Sequence, residues 1–179
     1  MMRWLLNIGF RRFARLNDYD TTYLQEMTDA WPGAGLRYLF LPALSRLTGP
    51  DPDIWAGAIL ASVLDGDCGP CAQLVCNDAL AKGVDPLCLA ACLRRDFAAA
   101  GAVGLGFCFA EAAIEGAEDA EALRAEIVQR HGSRAAIAAA FAAASGRVYP
   151  VLKRGLGHGA ACHAIRLGEK DIAVVRADT

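Results

Sequence analysis

Two Asp-Pro pairs, Asp51-Pro52 and Asp85-Pro86, and a set of glycines placed just past apolar runs confine this chain to a succession of helices. An Asp side chain accepts the free N–H groups of a first helical turn. Pro at the first helical position costs little, because its missing donor would have no intrahelical partner. Glycine after the last turn takes the left-handed conformation that stops a helix. This punctuation predicts helices from Pro52 to near Asp65-Gly66, from the Cys68 region to Lys82-Gly83, from Pro86 to Leu93, over 97–115 before Gly116, and over 118–131 before Gly132. Trp55, Ile59 and Val63 share a face of the first of these.

Asp67 is the expected cap of the second helix, and Ser133 that of an Ala-rich helix whose Ile137, Phe141, Ala144 and Val148 form a stripe. Pro150 kinks or restarts that helix. A short His- and Cys-containing segment follows Gly155-Leu156-Gly157, and the tail at 171–175 reads as a single strand or as disordered. No repeat, low-complexity linker or alternating strand series is present. The expected fold class is therefore all-α: an N-terminal helical extension over 1–50, one helical domain over 51–165, and a C-terminal tail over 166–179.

A length of 179 residues is enough for one well-buried core and short for two. A formal charge of -2 supplies no basic footprint, so nucleic acid is not an expected partner. Residues 1–16 carry Arg3, Arg11, Arg12 and Arg15 around Trp4, Leu5, Leu6, Ile8, Phe10 and Phe13, with no acidic residue. The apolar stretch is broken by Asn7 and Gly9 and lacks a small-residue cleavage site, unlike a secretory signal. A basic amphipathic helix can lie on a membrane surface, but packing on its own domain or on a neighbouring subunit is the expected fate, and no membrane is expected as a partner. The weakly polar run over 97–114 is mostly Ala and Gly, contains Glu111, and is poorly hydrophobic for a membrane span.

Seven cysteines cannot all pair within one chain. Cys88, Cys92 and Cys108 sit in apolar helical runs, where free Cys packs as a small hydrophobe, and this usage suits a reducing cytoplasm. Cys68-Gly69-Pro70-Cys71 is different, because it stands where one apolar helix stops and another begins. Two thiols three residues apart at a helix start can close a small disulfide, and the helix dipole favours the reactive thiolate. The pair is expected to be partly exposed and reversibly oxidised while Cys88, Cys92 and Cys108 stay reduced.

The run Asp67-Cys68-Gly69-Pro70-Cys71-Ala72-Gln73-Leu74-Val75, followed by a helix, a Gly turn and a later Arg147-Val148-Tyr149-Pro150-Val151-Leu152-Lys153-Arg154-Gly155-Leu156-Gly157 segment, resembles the carboxymuconolactone decarboxylase and alkylhydroperoxidase D-like superfamily over residues 51–162. The resemblance implies an all-helical fold, homo-oligomers and, in the Cys-x-x-Cys branch, thiol-dependent peroxidase or disulfide reductase activity; no Gly-rich nucleotide loop follows a strand, so no flavin, haem or nicotinamide cofactor is expected. It implies Cys68 and Cys71 as catalytic residues, with Cys71 attacking a small hydroperoxide or disulfide and an external thiol as electron donor. The branch also uses a Glu twelve residues before the first Cys and a His four residues after the second as a proton relay. Those positions here are Ala56 and Val75, which move no proton. Disulfide reduction is therefore expected to outlast peroxide reduction, since loss of a positioned acid or base costs about 10²- to 10⁴-fold.

Asp65, His158 and His163 are the candidate replacements for the relay, and Asp67 is a poor one, because an ionised neighbour raises a thiol pKa. His131 reads as a C-terminal helix cap. Cys68 and Cys71 with His158 and Cys162 would also make a Cys3His set suited to tetrahedral zinc, although the second half lacks a knuckle spacing and no metal is expected. A non-catalytic oligomeric scaffold with incidental cysteines is the remaining alternative.

Overall fold

The computed structural model describes residues 1–159 and 163–175, and among them the chain is all-α apart from one short hairpin. The order is α1 (Met2–Asn17), α2 (Thr22–Ala30), α3 (Pro32–Tyr38), α4 (Leu41–Ser45), α5 (Pro52–Asp65), α6 (Gly69–Ala81), α7 (Pro86–Leu93), α8 (Phe97–Ala100), α9 (Ala102–Glu115), α10 (Ala120–His131), α11 (Ser133–Gly146), α12 (Val148–Gly155), β1 (Ala164–Leu167) and β2 (Lys170–Ala173).

Helix α5 is the axis of the core. Every residue from Ile54 to Val63 is buried, so apolar side chains ring the helix instead of forming one stripe, as a helix enclosed by others requires. Helices α9 and α11 pack on it. The α5–α9 crossing is close because Gly57 and Gly106 sit in it: a Cβ on Gly57 would overlap the Val103 carbonyl, and one on Gly106 would overlap that of Ile54. Helix α11 uses the same device with alanine. Ala135, Ala136, Ala138, Ala139, Ala142 and Ala143 are buried, and Ser62 Oγ of α5 donates to the Ala143 carbonyl at 2.6 Å.

The predicted Asp caps are present. Asp51 Oδ1 accepts from the N–H groups of Asp53 (3.1 Å) and Ile54 (3.2 Å), and Asp85 Oδ1 from Leu87 (2.7 Å). Other local expectations are corrected. The α6 cap is Cys68, whose Sγ accepts from Cys71 N–H at 3.3 Å, while Asp67 takes a left-handed conformation at φ 51°. Ser133 is the first residue of α11, whose cap position is Gly132. The expected helix over 97–115 breaks at Gly101, which has φ 57°, into α8 and α9. The stripe of Ile137, Phe141 and Val148 points outward, because the alanine side makes the closer contact with α5. His131 Nδ1 lies 2.5 Å from Asp51 Oδ2, so it ties α10 to the start of α5.

The tail is neither a lone strand nor disordered at 170–173. β1 and β2 pair antiparallel, Ile165 opposite Ile172, and the hairpin straddles the boundary read at 165. Buried Ile165 and Leu167 press it on the core, and Gln73 bonds both backbone groups of Arg166 at 2.8 Å. The stretch Ser133–Gly155 is long and apolar enough to cross a membrane by length and composition, yet its α11 portion is a core helix by its contacts with α5, α9 and α10.

Helices α1 to α4 form a layer over one side of this core. Leu6 and Phe10 of α1 pack with Tyr19, Tyr23 and Leu24, and Phe13, Tyr38 and Leu74 of α6 join them. The Trp55, Ile59, Val63 face of α5 looks toward this layer without meeting it fully, which leaves a cavity.

Candidate functional site

Cys68 and Cys71 are joined in a disulfide, with Cα atoms 5.3 Å apart, while Cys88, Cys92 and Cys108 form none among the described residues. The Gly66-Asp67 turn ends α5 and drops Cys68 onto the cap position of α6, and Pro70 in the first turn surrenders only a donor without a helical partner. This puts Cys71 on the same side of the helix start as its partner. The expectation of partial exposure is corrected: Cys68 is 2% and Cys71 5% exposed, because both belong to the main core cluster and the Tyr19 hydroxyl stands against Cys71. Burial pushes the Cys88, Cys92 and Cys108 thiols up, which disfavours their thiolate forms.

Access to Cys71 runs through the cavity between the two layers. Its volume is about 320 Å³, and Phe10, Phe13, Tyr19, Tyr38, Trp55, Ile59, Val63, Leu74, Val75 and Cys71 line it, with Ser45, Arg46 and Asp78 as polar members. Such a mostly apolar concavity with a few polar groups is the usual form of a small-molecule site. Cys71 lines it and Cys68 does not. Ala56 is fully buried and Val75 is on the cavity wall, so the two positions where the resembling branch keeps its relay hold only apolar surface.

The proton-bearing groups near Cys71 come from elsewhere. Tyr19 Oη lies 3.8 Å from Cys71 Sγ, a hydrogen-bond distance for sulfur, and a disulfide sulfur only accepts, so Tyr19 donates. From Tyr19 a hydroxyl chain continues to Tyr23 at 3.3 Å and to Tyr38 at 2.9 Å. Tyr149 packs its ring against Tyr38 at 6.0 Å and bonds Ser45 Oγ at 2.6 Å, so all four tyrosines of the chain belong to one cluster. Burial raises the Tyr19, Tyr23, Tyr38 and Tyr149 phenols above their ordinary value. They remain protonated near neutral pH and act as donors.

Lys153 is 3% exposed, and its ammonium lies 4.9 Å from the Tyr19 ring centre and 5.4 Å from that of Tyr23. Burial lowers its pKa and the nearby Asp20 carboxylate opposes that shift. Helix α12 delivers it because Arg147 pairs with Asp65 at 2.9 Å, Arg154 donates to the Gly66 carbonyl, and Pro150 packs on Gly66. The later segment of the family resemblance is thereby docked on the turn that precedes the cysteines.

The candidate relay residues fare differently. Asp65 is engaged by Arg147. His158 bonds Glu26 at 2.8 Å with its ring 6.2 Å from that of Tyr23, so it joins the edge of the tyrosine cluster and not the disulfide. His163 is exposed, and its carbonyl accepts from Val174 N–H in the hairpin. Cys162, the fourth member of the zinc alternative, lies outside the described residues. Among the described residues no group of three or more His, Cys, Asp or Glu side chains is placed to hold a metal ion.

Sequence reasoning passed over Tyr19, Tyr23, Tyr38 and Lys153. The one available signal was the spacing of Tyr149 and Lys153, i and i+4 within α12, since Tyr19 lies in the connection before α2. Nothing local links Tyr19 to a cysteine 52 residues away. Compared with known proteins, the sequence matches no family model and no curated protein, and no solved structure matches the chain.

Proposed function

We propose that this protein is a thiol-dependent oxidoreductase, of the Cys-x-x-Cys alkylhydroperoxidase D-like kind, that cycles Cys68 and Cys71 between dithiol and disulfide. One observation carries the reading: the disulfide is closed, and only its Cys71 member faces the apolar cavity, with a phenol at 3.8 Å. In a reducing cytoplasm a disulfide is catalytic or sensing in the usual case, and this one closes no long loop that would add stability.

The reaction balances without a bound cofactor. An external dithiol, or two monothiols, gives two electrons and two protons to reopen the bond. The Cys71 thiolate then attacks a disulfide, forming a mixed disulfide and expelling a thiolate. Cys68 attacks Cys71 Sγ, the substrate's second thiolate leaves, and the Cys68–Cys71 bond is restored. With a hydroperoxide, Cys71 takes the terminal oxygen as a sulfenic acid while the alkoxide leaves, and Cys68 displaces water from that sulfenic acid. Tyr19 is the acid for either leaving group, and Tyr23, whose hydroxyl lies 3.3 Å from that of Tyr19, reloads it. This assigns to Tyr19 the task that Ala56 and Val75 cannot perform, so hydroperoxide reduction stands beside disulfide reduction.

An alkoxide is a far worse leaving group than a thiolate, so the two activities separate the role of the phenol. Tyr19→Phe is expected to lower hydroperoxide reduction about 100-fold and reduction of a small aromatic disulfide only a few-fold. The test is turnover of both substrates with dithiothreitol as donor. Wild-type protein that turns over neither would leave the scaffold reading in its place, and equal losses on both substrates would remove Tyr19 as the acid.

We also infer a homo-oligomer, supported by the outward stripe of Ile137, Phe141, Val148 and Val151 along α11 and α12. Large apolar side chains on one helix face, left out because alanines occupy the inner side, suit contact with a second copy. Phe141→Glu with Ile137→Glu should shift the protein to a monomer in light scattering while its helical circular dichroism is unchanged. Wild type that is already monomeric at micromolar concentration would contradict the assembly.

A further inference from the structure

We propose that the solvent-facing side of α1 is a docking surface for an anionic lipid bilayer. The rotation of this helix is set by Leu6 and Phe10, which are buried against α2 and α3 residues. With 3.6 residues per turn, the opposite side then carries Trp4, Leu5 and Ile8 in the first turns and Arg11, Arg12 and Arg15 in the last ones. Trp4 is 65%, Leu5 55% and Ile8 43% exposed, and Met2 flanks them. The inner apolar side is thus already satisfied within the chain, and a second apolar surface remains outside.

The charges say what covers it. Residues 1–17 contain no carboxylate. Among the described residues, Arg3 pairs with Asp29, Arg11 bonds the neutral Gln25, and no ion pair is formed by Arg11, Arg12 or Arg15. The asymmetry extends to the whole molecule: residues 1–50 hold six arginines and four carboxylates, while the remainder holds twelve cations and sixteen carboxylates. An anionic surface therefore attracts this side and repels the others, which orients the protein. Apolar exposure follows the same partition, since twelve of the nineteen exposed large apolar side chains among the described residues lie in the first 47.

A bilayer with anionic headgroups satisfies both halves of the helix, taking Trp4, Leu5 and Ile8 at the acyl boundary and the guanidinium groups among phosphates. A second copy of α1 does not. Parallel pairing sets arginine against arginine, and antiparallel pairing sets each arginine cluster over the partner's apolar half, with no anion in either case. The inference is independent of the redox reading, and it replaces the expectation that no membrane takes part.

The test is co-sedimentation of the full chain with vesicles of phosphatidylcholine alone and of phosphatidylcholine mixed with phosphatidylglycerol. Binding is expected on the mixed vesicles only, weakening as salt rises. Replacing Arg11, Arg12 and Arg15 together by Gln should lower the partition coefficient on the order of 100-fold at low salt. Trp4→Ser with Ile8→Ser should weaken it as well, and since all five side chains are on the surface, helical circular dichroism reports that each variant is folded. No binding to the mixed vesicles at low salt overturns the proposal, as does equal binding to neutral ones. So does a change of oligomeric state on Trp4→Ser with Ile8→Ser in a protein that ignores vesicles, which would assign the face to a second copy.

Discussion

Cys71→Ser is expected to abolish both disulfide and hydroperoxide reduction, a loss of at least about 10³-fold, because removing the nucleophile of a covalent mechanism leaves only binding and acid catalysis. Cys68→Ser should act differently. Cys71 faces the cavity and the Tyr19 hydroxyl, whereas Cys68 caps α6 and accepts the Cys71 N–H, so Cys68 can resolve an intermediate but does not meet substrate first. The Cys68→Ser protein should complete one attack and stop, holding the substrate's sulfur in a mixed disulfide that intact-mass measurement detects. Serine at either position still accepts hydrogen bonds, so the helix start is preserved and a folding defect does not imitate the result. A mixed disulfide trapped in Cys71→Ser, with Cys68→Ser inert, would reverse the two roles.

The second large effect lies in the core. Gly57→Ala should destabilise the protein by about 3 kcal/mol, the high end for overpacking by one methyl group. Alanine ordinarily stabilises a helix relative to glycine by up to about 1 kcal/mol, so the sign of the change is itself diagnostic. Here the added Cβ meets the backbone carbonyl of Val103, which has no rotamer through which to retreat, and α5 and α9 must separate along their whole contact. For a chain of this size the melting temperature should fall by about 10 °C. Since α5 also supplies Trp55, Ile59 and Val63 to the cavity wall, the variant should lose affinity for apolar substrates before it unfolds. A melting temperature equal to or above that of wild type would show that the two helices do not cross at this glycine.

The predicted caps and stops worked where the determinant was local. Asp51 and Asp85 bond the first-turn N–H groups of their own helices, and Gly116 and Gly132 end α9 and α10 with positive φ. They failed where two local signals competed. Asp67 and Cys68 both stood before Gly69-Pro70, and the tight turn after α5 put the first in a left-handed conformation and the second at the cap. Gly101 was one glycine within a long apolar pattern, and its positive φ divided the helix.

The placement of Cys71 on a cavity wall was not legible at all, because it depends on α1 to α4 folding back over a helix start that follows them in the chain. For the same reason Tyr19 escaped notice, since no periodicity relates it to Cys71. The stripe of Ile137, Phe141 and Val148 shows the limit of periodicity in another way. Ile137 and Phe141 do share a face of α11, with Val148 on the separate helix α12, but which face turns inward was decided by how closely α5 can be approached, and alanine approaches closer than isoleucine.

By itself the sequence determined the order of helices in the core and the placement of two cysteines in one helical turn, because caps, prolines and glycines act within a few residues of where they stand. Only the tertiary structure decided which cysteine meets the cavity, which phenol stands beside it, and which side of α1 is left to solvent. Those depend on contacts between segments distant in the chain, where burial against a partner surface, and not local propensity, selects the arrangement.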